Sequence, residues 1–242
     1  MNVASLIFRL RFWILAVIFF LAFATPWDRW LNLAMDANGS TWLLLSTWLA
    51  RNHWLSFTTA TVVVLVFGII WALKAALLRT WATAYLGSST VHSQSMHGDA
   101  VVAAGPYRYV RNPLYLGTGI HTLALALLMP PSGAIFAIVT VIAFQFFLIA
   151  GEESFLATKL GEAYREYRSQ VPRLFPALRP RVASSDVKPN WRTGFLGEIY
   201  FWGVFLSFVT VGWRYNASLI TQGVLISLGV SLIVRAFMPR RA

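Results

Sequence analysis

Apolar runs of about the length of a membrane crossing, uncharged or charged only near one end, recur along the chain, and the polar stretches between them collect most of the charge. A spanning helix needs about 20 mostly apolar residues, because each residue rises about 1.5 Å through a hydrocarbon core of about 30 Å. Six stretches meet or approach that length: Phe8–Thr25, Trp54–Leu73, Leu114–Met129, Ser132–Gly151, Phe195–Trp213 and Tyr215–Val234. The third is short. Pro130 and Pro131 follow it and impose a turn, since neither offers a backbone donor, so spans three and four should form a tight hairpin. The pattern predicts an all-α polytopic transmembrane bundle of about six spans. Thr41–Ala50 is apolar but too short to cross; with Trp42, Trp48 and Trp54 it reads as an interfacial helix on the outer face, the depth tryptophan favours. The N-terminus admits two readings. Arg9, Arg11 and the apolar run ending Ala22-Phe23-Ala24 suit a first transmembrane helix, the reading adopted, and also suit a signal peptide.

Composition agrees with a bilayer environment. The hydrophobic share is 57% and the charged share 12%, against about 25% charged in soluble domains. A pI near 10.7 and a net charge of +11 could suggest nucleic-acid binding. The placement of the charges argues otherwise. With a cytoplasmic N-terminus and six crossings, both termini lie inside, and Arg29, Arg51 and Arg214 are the basic residues left outside. The rest, among them Lys74, Arg79, Arg108, Arg111 and eight residues from Lys159 to Arg192, fall on the cytoplasmic side of an inner membrane. That asymmetry is the positive-inside rule and requires no polyanionic partner. No cysteine is present, which excludes disulfides and thiolate chemistry, and His53, His92, His97 and His121 form no ligand-spaced pair, so no metal site is expected.

Two cytoplasmic segments carry residues suited to chemistry. In the first, Leu78–Pro113, Gly105-Pro106 marks a turn, and Pro113 both displaces Asn112 from helical geometry and suits the first turn of the following helix. Unpaired amides at that helix start, flanked by Arg108 and Arg111, could receive a carboxylate-bearing, partly aromatic ligand. In the second, Glu152–Gln170, the residues Leu156, Leu160, Ala163, Tyr164, Tyr167 and Val171 recur at helical spacing as one apolar face. That face also suits a helix lying on the membrane surface. Glu152 and Glu153 stand where the fourth span ends. They read either as solvated boundary charges or, in a chain with nine acidic residues, as paired groups of the site.

The run Gly105-Pro106-Tyr107-Arg108-Tyr109-Val110-Arg111-Asn112-Pro113-Leu114-Tyr115-Leu116-Gly117 resembles the G-x-Y-x-x-x-R-H-P-x-Y-x-G signature of the isoprenylcysteine carboxyl methyltransferases. Glu152-Glu153, Gly161, Tyr164, Tyr167, Val171-Pro172-Arg173 and Pro176 resemble the tail motif of that family, with which phospholipid methyltransferases share much of the signature. The resemblance covers about 70–180. It implies a methyltransferase core over 70–180, between an N-terminal transmembrane region at 1–69 and a C-terminal transmembrane pair at 181–242. It implies S-adenosylmethionine in a cytoplasmic pocket and a lipophilic acceptor entering from the bilayer. Carried over residue by residue, the cofactor contacts fall on His92, Asp99, Ala100, Val101, Val102, Tyr107, Arg111, Asn112, Pro113, Leu114, Tyr115 and Glu152, the last holding the donor's amino group. For an amine acceptor, Glu153, Tyr164 or Tyr167 would assist deprotonation, and Arg173 is a nearby cation for an acidic one. The chain departs from the pattern twice. Asn112 replaces the family's histidine and cannot titrate near neutral pH, and Leu148 stands where the carboxyl methyltransferases place an arginine one turn before the glutamate. A nicotinamide-dependent membrane reductase of related architecture and a non-catalytic membrane protein are the alternative readings.

Overall fold

A computed structural model describes residues 3–24, 27, 39–87 and 101–237, and among them every regular element is a helix. We number the α-helices α1 Val3–Ala24, α2 Thr41–Arg51, α3 Phe57–Leu86, α4 Pro113–Ala126, α5 Pro131–Leu160, α6 Glu162–Gln170, α7 Trp191–Gly197, α8 Ile199–Val211 and α9 Ala217–Phe237. One-turn 3₁₀ segments lie at Gly105–Arg108 and Gly212–Arg214. Four of these helices are long and apolar enough to cross a membrane: α1, α3, α5 and α9. A fifth crossing exists if α7 and α8, bent by 65° at Glu198, are counted as one. Trp13, Phe20, Val139 and Ile226 are among the large apolar side chains left uncovered along these helices, as a lipid-facing surface requires.

Helix α3 is the central post, with α2, α4, α7 and α8 against it. Its 30 residues reach about 45 Å at 1.5 Å each, more than the thickness of the hydrocarbon core. Its Val64 and Leu65 share a core with Leu125, Met129, Val204, Phe208 and Ile220. Helix α1 lies on α5 at near-backbone contact: a Cβ at Gly133 would fall 1.9 Å from the Ala22 carbonyl oxygen. Helices α8 and α9 meet through reciprocal small residues, Gly203 against Ser227 and Gly223 against Ser207, the close approach that packing within a bilayer favours.

The third predicted span is shorter than expected. Helix α4 has 14 residues, about 21 Å, and gives way to a turn at Leu127–Met129 before Pro130. That end is closed by α2, whose start supplies what the end of α4 lacks. Thr41 N–H donates to the Met129 carbonyl at 2.7 Å and Trp42 N–H to the Leu127 carbonyl at 2.9 Å, so orphan donors meet orphan acceptors. Of the three tryptophans of the interfacial reading, one departs from it. Trp42 is buried, its indole N–H on the Thr61 carbonyl at 3.0 Å, and only Trp48 and Trp54 are exposed, ring against ring at 5.0 Å.

A buried ion pair sits at the bend at Glu198. Its carboxylate is wholly buried and receives Arg79 Nε at 2.7 Å, Arg79 Nη2 at 3.1 Å and the Thr83 hydroxyl at 2.6 Å. Arg79 Nη1 donates onward to the Leu114 carbonyl and the Thr118 hydroxyl, and the guanidinium lies 4.2 Å from the Phe201 ring centre. Arg79 is therefore an internal tie between α3, α4 and α8, and not one of the free cations of a cytoplasmic surface.

Candidate functional site

At the end of the bundle where α4 begins and α5 ends, the two motifs come together. The first is shaped by Gly105, whose φ of +53° and contact with the Tyr85 ring, 2.5 Å from where a Cβ would sit, exclude a side chain. The one-turn helix that follows buries Pro106 and Tyr107. Asn112 then caps α4 with Pro113 at its first turn, as the sequence predicts.

Glu153 is the knot between the motifs. It is 3% exposed and pairs with Arg173 through Nη2 at 2.6 Å and Nε at 3.1 Å, and with Arg111 Nε at 3.2 Å. The Asn112 side-chain amide donates to Glu153 at 3.2 Å and to the Arg173 carbonyl at 3.2 Å. Arg111 also hydrogen-bonds the Arg168 carbonyl and donates its backbone N–H to the Pro172 carbonyl at 2.8 Å. So asparagine at the family's histidine position serves as a neutral bridge between a carboxylate and a carbonyl, a role that needs no titration.

Glu152, one residue earlier, faces another neighbourhood. The Tyr115 hydroxyl hydrogen-bonds its carboxylate, and Arg11 of α1 lies within electrostatic reach of both. Arg11 is buried, with its guanidinium 3.8 Å from the Phe8 ring centre and Nη1 on the Phe8 carbonyl at 3.0 Å. The sequence reading gave Arg11 only as a topology signal. Its place in the site follows from α1 packing along α5, which periodicity does not reveal.

Gly161, at a φ of +58°, breaks α5 from α6. Helix α6 then buries Tyr164 and Tyr167 with Val171 against Val101, Ala103, Leu156 and Leu160. The Tyr167 hydroxyl donates to the Tyr107 carbonyl at 2.8 Å. Burial first, then the nearby Glu153 charge, pushes Tyr164 up to about 12. Burial, then Tyr164, raises Tyr167 as well. Both phenols stay protonated at neutral pH, so each is a hydrogen-bond donor there. The Tyr107 hydroxyl is buried without a hydrogen-bond partner, and burial raises its pKa well above the ordinary tyrosine value. Val101 and Val102 lead into this turn half-buried, whereas His92, Asp99 and Ala100 lie outside the described residues. Leu114 takes part through its carbonyl, on Arg79. Beside Glu153 a cavity of about 600 Å³ opens between α5 and α6, lined by Ser154, Ala157, Arg165, Arg168 and Arg173. No cluster of potential metal ligands occurs among the described residues.

Two residues that sequence reasoning passed over can be recognised in retrospect. Arg79 and Glu198 are lone opposite charges at the edges of two predicted spans, and isolated charges near membrane depth call for a partner.

The fold and site define a helical integral membrane protein in which a polar loop and an arginine-rich segment close over paired glutamates at the end of a helical hairpin. Residues 63–163 match the family of phospholipid methyltransferases. Over 108 residues the chain is 32% identical to the Protein-S-isoprenylcysteine O-methyltransferase of Schizosaccharomyces pombe, covering 42% of this chain. It spans 44% of that relative's length. The resemblance read from the two motifs is thereby borne out over the middle of the chain. No solved structure matches it.

Proposed function

We propose that this protein is an S-adenosylmethionine-dependent methyltransferase acting on a lipophilic acceptor held in the membrane. The observation that carries the reading is the convergence of the two motifs on Glu152 and Glu153, within the stretch that matches the phospholipid methyltransferases. The residues suit the donor. Glu152 offers a carboxylate for its ammonium, and the partnerless Tyr107 hydroxyl offers a buried hydrogen bond. Arg111, Asn112 and Arg173, tied to Glu153, hold the wall of the pocket in place, while Pro113, Leu114 and Tyr115 present the start of α4 to it. Val101 and Val102 would contribute backbone contacts, as would Asp99 and Ala100, with His92 as a more distant polar contact. When bound, the donor supplies an electrophilic methyl group on a sulfonium. The chain's part is to align the acceptor, keep water out and accept a proton where the acceptor is an amine. Positioning is the larger share, because the tyrosines stay protonated near neutral pH and Glu153 is already doubly paired.

Glu152→Gln tests the donor site. It keeps the shape and removes the charge, and a charge-assisted hydrogen bond is worth roughly 1.5–3 kcal/mol. Affinity for S-adenosylhomocysteine, titrated calorimetrically in detergent, should fall about tenfold or more. Glu162→Gln on exposed α6 should bind as the native protein does. Equal losses in both variants would mean that Glu152 is only a boundary charge. Binding of a nicotinamide dinucleotide in place of the homocysteine compound would favour the reductase reading.

The same proposal includes six crossings, with the pocket, the segment 151–193 and both termini on the cytoplasmic side of the inner membrane. It also retains a core over 70–180, flanked by 1–69 and 181–242. Because the chain has no cysteine, Ser184→Cys and Asn52→Cys, both at exposed positions, report topology directly. In intact cells an impermeant thiol reagent should label position 52 and spare position 184. The opposite pattern overturns the orientation.

A further inference from the structure

After α6 the chain holds two large apolar side chains in the open: Phe175 is 89% exposed and Leu178 fully so. Single exposed apolar residues need no explanation, but here the backbone that presents them is braced. Ala177 N–H donates to the Tyr109 carbonyl and Arg181 N–H to the Arg108 carbonyl, each at 2.9 Å, and Pro176 and Pro180 fix φ within the segment. The two side chains are held outward by a fixed loop.

The charge around them is of one sign. Arg173, Arg179 and Arg181 lie in the segment, and no acidic residue occurs between Glu166 and Asp186. Arg173 also lines the cavity of about 600 Å³, with Arg165, Arg168 and Glu153. The depth of the loop follows from its contacts. Trp81 lies 24 residues after the start of α3 at Phe57, and a hydrocarbon core takes up about 20, so Trp81 stands at headgroup level. Tyr109 meets Trp81 ring to ring at 6.0 Å, and Ala177 is bonded to Tyr109. Phe175 and Leu178 flank Ala177 at that level.

We propose that the segment from Arg173 to Arg181 is a membrane anchor. It sets Phe175 and Leu178 into the headgroup–acyl boundary of a leaflet containing acidic phospholipids, whose phosphates Arg179 and Arg181 bind. An aromatic and an aliphatic tip between cations is the pattern by which protein surfaces enter that boundary, and a braced loop does so at little further cost in order.

The absence of cysteine makes the test direct. A nitroxide is attached to Leu178→Cys and, separately, to Ser184→Cys, which is exposed but outside the anchor. Each protein is placed in nanodiscs of phosphatidylcholine with phosphatidylglycerol, and collision with oxygen is compared with collision with a water-soluble nickel complex. The label at 178 should favour oxygen and the label at 184 the nickel complex. Arg179→Gln with Arg181→Gln, or omission of phosphatidylglycerol, should move the 178 label toward water, since each lost cation weakens attraction to an acidic leaflet about fivefold. Equal nickel access at 178 and 184 overturns the proposal. So does a 178 label shielded from both probes with spin–spin broadening, which would mark a second copy as the occupant. A 178 label indifferent to both the arginines and the acidic lipid overturns the headgroup assignment. None of these readouts depends on methyl transfer, so the anchor and the proposed activity stand or fall separately.

Discussion

Replacing Glu198 by alanine is expected to lower stability by about 3–5 kcal/mol, the cost of leaving a buried guanidinium without its counter-charge. Arg79 has little exposed surface, and two of its nitrogens are committed to that carboxylate. Its remaining bonds, to the Leu114 carbonyl and the Thr118 hydroxyl, disperse charge but do not neutralise it. Glu198→Gln should cost less, because an amide oxygen can still accept from Thr83 and Arg79. Arg79→Leu combined with Glu198→Leu should be milder than either single change, since a buried pair removed together strands nothing. Unfolding in mixed micelles, followed by tryptophan fluorescence, measures each of these variants. A single-variant loss under about 1 kcal/mol, the size of an exposed pair, would show the carboxylate to be solvated and the tie to be dispensable. Additive losses in the double variant would mean that the two residues act independently.

That tie also shows where sequence reading reaches and where it stops. The apolar runs located the helices well, since a bilayer leaves few other ways to satisfy the backbone. The turn at Gly105-Pro106, the start of α4 at Pro113 and the break before Pro131 were legible from residues with fixed backbone preferences. The motifs carried Glu153, Asn112, Arg111 and Arg173, and the structure brings these four into one hydrogen-bonded group. What stayed hidden depends on contacts distant in sequence. Trp42 looked interfacial because tryptophan in a short apolar helix usually is; its burial follows from α2 capping the end of α4 across 88 residues. Arg11 looked like a flanking charge and stands instead beside Glu152, because α1 packs along α5. The bend at Glu198 has no proline to announce it, and the carboxylate at that break is held by a salt bridge across 119 residues.

The acceptor is expected to be a neutral or amine-bearing lipophile and not a prenylcysteine carboxylate, although the matched relative from Schizosaccharomyces pombe is named for prenylcysteine chemistry. A carboxylate brought into a partly dehydrated pocket must be met by a cation, or the unpaired charge costs several kcal/mol. At the position where the carboxyl methyltransferases carry an arginine, Leu148 is buried on α5 and can offer none. The cations that face the paired glutamates directly are already engaged. Arg173 and Arg111 both face Glu153, and Arg11 faces Glu152 while bonded to a carbonyl of its own helix. Arg173, which sequence reasoning kept as a substitute partner, would have to leave a 2.6 Å ion pair to serve. An amine needs no such cation, and a neutral group needs none either. Purified protein supplied with labelled methyl donor and offered farnesylated N-acetylcysteine beside a panel of lipid amines decides the matter. Label should enter the lipid extract and leave the cysteine derivative unesterified. Leu148→Arg should then gain ester formation, because a guanidinium placed there supplies the missing bidentate partner. Efficient esterification by the native protein would overturn this assignment and would mean that one of the engaged arginines releases its carboxylate when the acceptor arrives.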